Sequence, residues 1–206
     1  MRYIKFIILS VIGAIVLFGC TGKTEQAKAK YVFYFIGDGM GVNQVIGTEM
    51  YLAELEGRIG TKSLSFTSFP VRNYLTTYSA TNAVTCSAAA GTALAAGTKT
   101  QNGRIGMKQD SSVLYSIACK AKQAGKAVGV TTSVAINHAT PAVFYAHQPD
   151  RQMYYEIGTD AVKAEFDFYG GAGWKQVISP HDSSAIDLYS LLRDSGYMII
   201  DHRQDF

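Results

Sequence analysis

Three short segments hold the residues whose types and spacing could do chemistry. The first, Gly37-Asp38-Gly39-Met40-Gly41, sets one carboxylate among three glycines. A glycine-rich loop of this kind invites a dinucleotide reading, but the spacing is not GxGxxG and Asp38 would push a carboxylate toward a pyrophosphate. A carboxylate shares a phosphate pocket when a divalent cation lies between them, so Asp38 reads as a metal ligand, with an Asx-turn or helix cap as the plainer alternative. The second segment runs Ala83-Val84-Thr85-Cys86-Ser87-Ala88-Ala89-Ala90-Gly91. It puts the Ser87 hydroxyl at a helix N-terminus, where free N–H groups favour an anion; a simple N-cap is the alternative. A lipase-type elbow is excluded, because Thr85 and Ala89 stand where G-x-S-x-G needs glycines. A serine without an adjacent histidine base needs another activator, and a metal is the obvious one. The third segment is Asn137-His138-Ala139-Thr140-Pro141, with His147 and Arg151 following. His138 and Thr140 alternate on one side of an extended stretch, which suits two groups reaching one cation or its water shell. Arg151 offers a planar fork matched to a phosphate. Singly, Thr140 is a cap and Arg151 a surface ion pair; together at one rim they point to function.

The elements that must carry these segments alternate. Residues 31–36 are a continuous apolar run ending at a glycine, the pattern of a strand buried on both faces, and residues 42–55 carry apolar groups at helical spacing. Residues 71–78 alternate as a second strand, 87–96 form a small-residue helix, and 97–103 are turn chemistry with Asn102-Gly103 at the tip. A helix over 113–124 stopped by Gly125 is followed by a strand over 127–132. Thr140-Pro141 reads as an N-cap with proline at the first helical position, opening a helix through His147. Helices near 154–164 and 182–193 and strands at 166–169 and 197–200 complete the pattern. This alternation predicts an α/β fold with a mostly parallel central sheet and helices on both faces, and ligands in such sheets bind beyond the carboxyl ends of the strands.

With 48% hydrophobic and 17% charged residues in 206, the chain is globular and of a length for one good-sized domain. Arg2 and Lys5 supply two of its three formal net positive charges, and residues 1–19 hold no acid, so the remainder is close to neutral. A nucleic-acid partner gains no support from that balance. Residues 1–19 read as an export signal, a basic start followed by an apolar run too short for an easy membrane span. Leu17-Phe18-Gly19-Cys20 resembles the lipobox of bacterial lipoproteins, which makes Cys20 the lipid attachment point and the chain an exported protein anchored to a bacterial membrane, on the periplasmic or cell-surface side. Residues 20–30 are a polar tether, and the folded part is expected over 31–206. Cys86 and Cys119 are expected to remain unpaired, one in a small-residue turn and one in a helix, and no CxxC spacing supports a cysteine zinc site.

On these residues the chain resembles the alkaline phosphatase family. The resemblance rests on Phe35 to Gly41, on Val84 to Ala93, on Gly97-Thr98-Lys99-Thr100-Gln101-Asn102-Gly103, and on Asn137 to Pro141 with Ala146-His147 and Arg151, in family order, from about Tyr31 to at least Trp174. It implies metal-dependent hydrolysis of phosphate monoesters with zinc and magnesium as cofactors. Ser87 would form a phosphoserine intermediate, Asp38 would bridge a zinc and the magnesium, Thr140 would bind magnesium, and Arg151 would hold two phosphoryl oxygens. A three-layer sandwich is implied as the fold, and a homodimer is an assembly it allows.

Three departures accompany the resemblance. Cys86 stands where some members have an Asp that steadies the arginine, which leaves Arg151 looser. His138 stands where some bacterial members place an Asp and animal enzymes a His, so it is a metal ligand or acts through a water. Family members continue further and draw later zinc ligands from that part; Asp201-His202 lacks the context of the family's later Asp-His pair, so the 206 residues are expected to be an N-terminal portion lacking those ligands. Two alternatives stay open: a catalytically inactive truncated product or surface binding lipoprotein, and a phosphodiesterase of the same superfamily.

Overall fold

A computed structural model describes residues 29–200. The export signal 1–19, Cys20, most of the tether and Asp201-His202 lie outside the described residues. The chain divides into two compact units, one ending at Ile36 and one beginning at Gly37. In the first, residues 31–36 form no strand; Val32, Phe33 and Phe35 are exposed, with the rings of Phe33 and Phe35 stacked at 6.5 Å. The buried strand expected there is corrected: a central strand is held by ladder bonds to its neighbours, and among the described residues no strand pairs with this run.

In the second unit the described helices are α1 (Val42–Glu54), α2 (Ser87–Ala96), α3 (Ile117–Gln123), α4 (Ala139–Ala142), α5 (Tyr154–Ala164) and α6 (Leu188–Asp194), with strands β1 (Gly129–Thr131) and β2 (Phe168–Gly170). β1 and β2 pair in parallel, Val130 opposite Tyr169. The α/β class expected from the alternation holds. The pairing continues past the strands as Thr132 N–H to Gly170 O, Ala172 N–H to Val134 O and Ile136 N–H to Gly173 O, each 2.8–2.9 Å. This seam guides the chain from the carboxyl end of β1 into Asn137-His138 and α4.

Several boundaries differ from expectation for local reasons. The helix expected from 113 begins at Ile117, because Val113 bridges Met107 and the Ser116 side chain accepts the Cys119 N–H as an N-cap. The helix expected from 182 begins at Leu188 behind an Asp187 cap, since Asp182 is spent on a turn with Ser184. Residues 71–78 and 197–200 form no strand. α4 starts two residues early and ends at Ala142 rather than His147, with His138 as N-cap and Pro141 third in the helix, where its missing N–H still falls among the unsatisfied donors of the first turn.

The core of this unit gathers Ala88, Ile105, Ala142, Val143, Tyr145 and Phe166. α2 is built of small residues, and a Cβ added at Gly91 would meet Val143 Cγ2 at 2.9 Å, so α2 and the α4 segment pack at backbone range. Among the described residues no helix is long and apolar enough to cross a membrane.

Candidate active site

Asp38 is delivered by a tight turn in which Met40 N–H bonds Gly37 O at 3.2 Å and Gly39 takes φ +70°, a conformation glycine adopts without a Cβ penalty. Ser87 is the first helical residue of α2; Cys86, extended at φ −112° and ψ 167°, is its N-cap. The serine is therefore not the cap. Its hydroxyl donates to Asp38 instead, 3.1 Å from Oδ1 and 3.0 Å from Oδ2. Thr140 does not cap its helix either, and donates from Oγ1 to the same Asp38 Oδ2 at 2.6 Å. One carboxylate thus gathers two hydroxyls that lie 49 and 102 positions away in sequence.

Arg151 is half-buried, and among the described residues its guanidinium has no hydrogen-bond or ion-pair partner. Its charge nevertheless reaches Cys86 and His138. Burial pushes the Cys86 thiol up, but the N–H groups of Ala89, Gly103 and Ala88, with Arg151, outweigh it and hold the thiol below its ordinary value. Burial first, then the charges of Arg151 and Lys175, hold the His138 imidazole below its ordinary value against the pull of Asp38. These surroundings favour the neutral imidazole, and its buried Nδ1 has no hydrogen-bond partner among the described residues. His147 joins a different arrangement: its Nδ1 lies 3.0 Å from Gly106 O and its ring packs edge-on to Tyr115. Among the described residues Cys86 and Cys119 carry free thiols.

Two contributors escaped the sequence reading. Lys175 adds charge beside His138 because the buried Asn137 holds its backbone, donating to Lys175 O at 2.7 Å and accepting from Lys175 N–H at 2.9 Å. Asp160, 8% exposed, accepts from His147 N–H at 3.0 Å, Gln148 Nε2 at 2.7 Å and Lys163 Nζ at 3.0 Å, which fixes the segment leading to Arg151. Its only mark in the sequence is an i,i+3 acid–base pair on α5.

The oxygen donors of Asp38 and Thr140 are of the kind a hard divalent cation such as magnesium takes. They do not by themselves complete a site for magnesium or for a pair of zinc ions: the described residues contain no group of three or more His, Cys, Asp or Glu side chains that could hold a metal.

Residues 29–169 match the family model described as Alkaline phosphatase. The chain is similar to the alkaline phosphatase of Gadus morhua, 35% identical over 68% of this chain and 32% of that protein, and to alkaline phosphatase 3 of Bacillus subtilis, 33% identical over 89% and 40%. It thus spans well under half the length of these relatives. Among solved structures it resembles a mutant of the alkaline phosphatase of the Antarctic bacterium TAB5 with Mg bound in the M3 site, with a TM-score of 0.70 and 29% identity over 81% of this chain and 45% of that one.

Proposed function

The chain belongs to the alkaline phosphatase family, and from that premise we propose that it carries the nucleophile and the phosphate-holding residues of a phosphate-monoester hydrolase. The observation that supports this reading best is the convergence of Ser87 and Thr140 on one Asp38 carboxylate, with an arginine whose charge reaches Cys86 and His138 and whose guanidinium has no partner among the described residues. Ser87 Oγ is the nucleophile. Its proton, already directed at the Asp38 carboxylate, leaves as the Oγ–P bond forms and the ester oxygen departs, taking up a proton to become the free alcohol. Arg151 holds two phosphoryl oxygens with its fork. Water then cleaves the phosphoserine, returning the Ser87 hydroxyl and releasing phosphate. Asp38 and Thr140, with His138 as a neutral neighbour, would hold a magnesium ion, whose charge when bound offsets that of the phosphoryl oxygens. Zinc belongs to the family reading, in which Asp38 would be a shared ligand and the other zinc ligands are not assigned within these residues.

Export and lipid attachment at Cys20 complete the proposal on the strength of the lipobox alone, and place the substrate outside the cytoplasm. The test compares hydrolysis of a chromogenic phosphate monoester and a chromogenic diester by the full chain, with magnesium and zinc added, against Ser87→Ala. Any monoester turnover the chain supports is expected to disappear in Ser87→Ala, and turnover by wild type would show that these residues assemble a working site without the later zinc ligands. Turnover that survives the substitution would overturn Ser87 as nucleophile, a preference for the diester would favour the phosphodiesterase reading, and phosphate binding with no turnover would favour a binding protein.

A further inference from the structure

The turn at 97–103 has no place in the chemistry above, yet its tip touches both halves of the site. Asn102 Oδ1 accepts the Cys86 N–H at 3.2 Å while Asn102 Nδ2 donates to Val84 O at 3.0 Å. One carboxamide thus pairs with the strand-like segment that delivers Ser87, as the backbone of a neighbouring strand would. The next peptide continues the contact: Gly103 N–H donates to Cys86 Sγ at 3.1 Å, and Gly103 O accepts the Arg151 N–H at 2.8 Å. Beyond it Ile105 and Gln148 exchange both backbone bonds, at 2.9 and 3.0 Å. Residues 102–105 therefore form a seam with the residue before the nucleophile on one side and the backbone of the phosphate-holding arginine on the other.

We propose that Asn102 and Gly103 are a positioning hub that fixes Ser87 relative to Arg151, an inference that rests on the assignment of those two residues as nucleophile and phosphate holder. The residue types match the task. A carboxamide is a short side chain with a donor and an acceptor side by side, so it can bond a C=O and an N–H two residues apart; a carboxylate has no donor and an aliphatic chain has neither. Gly103 sits at φ +88°, where a side chain strains the backbone even though the space around a Cβ is open, and this conformation lets its N–H and C=O serve two different segments. Attack on phosphorus tolerates little misplacement between nucleophile and phosphoryl group, so a hub that sets this separation acts on the reaction without touching substrate.

Amide hydrogen exchange on the full chain tests the coupling without requiring turnover. In Asn102→Ala the Cys86 amide should exchange about tenfold faster, the scale of one lost hydrogen bond. The Arg151 amide, which Asn102 does not touch, should accelerate with it, while Ala161 in α5 keeps its protection. Acceleration confined to Cys86, or at neither site, would overturn the hub. If Ala161 accelerates as well, Asn102→Asp decides, because it keeps the acceptor for Cys86: recovery at Cys86 and Arg151 together supports the hub, and recovery at neither or at Cys86 alone overturns it. A titration with inorganic phosphate, followed by phosphorus NMR, separates this from the reading beneath it. Phosphate that binds wild type, is lost in Arg151→Ala and weakens about fivefold in Asn102→Ala is the expected result, given that loosening one hydrogen bond is worth a factor of this order. Absence of phosphate binding by the wild type would count against the phosphate-site reading and leave the exchange result to decide the hub.

Discussion

Two stretches of the second unit have similar apolar content and opposite fates. Around α2 and the segment 102–151, Ala88, Thr92, Ile105 and Ala142 are fully buried, and the backbone is tied by bonds from Asn102, Gly103 and Ile105. In residues 71–78, Val71 is 87% exposed and Tyr74 85%, and no strand forms although the pattern alternates. The first stretch has small residues and paired backbone, the second has larger side chains and little pairing. Apolar character therefore does not position a segment; backbone bonds to a neighbour and side chains small enough to let that neighbour approach do. The residues proposed for chemistry after Asp38 all hang from the first kind of structure.

The sharpest way to break this comparison lies at Gly106. It takes φ +55°, and a Cβ there would stand 2.2 Å from Ala146 O and 2.8 Å from His147 Nδ1. The contact with backbone oxygen cannot be relieved by a rotamer change, and the conformation itself disfavours a side chain. Gly106→Ala is expected to cost about 3 kcal/mol, overpacking and left-handed backbone combined, as read from denaturant midpoints. A loss under about 0.5 kcal/mol, the scale of a surface change, would show that the packed region yields as easily as the exposed one. The smallest effect belongs to the other stretch. Leu75 is 71% exposed, and Leu75→Ser should move stability by less than about 0.5 kcal/mol. A loss of several times that would mean residues 71–78 are held by contacts like those around α2, and the contrast would dissolve.

The same contrast explains what could be read in the sequence. Helical periodicity located α1, α2 and α5 within a residue or so, because each has ten or more residues over which the pattern can repeat. Asp38, Ser87 and Thr140 were legible as residue types in suggestive places, and the structure brings them together. Their mutual bonds were not legible, since each hydroxyl was equally suited to capping its own helix until Asp38 competed for it. Asn102 was legible only as the tip of a turn, and Asp160 and Lys175 left almost no trace, because their main partners lie across turns where no periodicity links donor to acceptor. The strands at 31–36 and 71–78 were misread for the complementary reason: alternation and apolarity describe a face, while a strand also needs an edge to pair with.

The account centres on Ser87 as the group that takes the phosphoryl. The most direct measurement is peptide mass spectrometry of the full chain after incubation with inorganic phosphate, magnesium and zinc, quenched in acid, with Ser87→Ala in parallel. Phosphate recovered on the peptide containing Ser87, and absent from the variant, is the predicted result. Phosphate recovered on another residue, or persisting at the same level in Ser87→Ala, would contradict it.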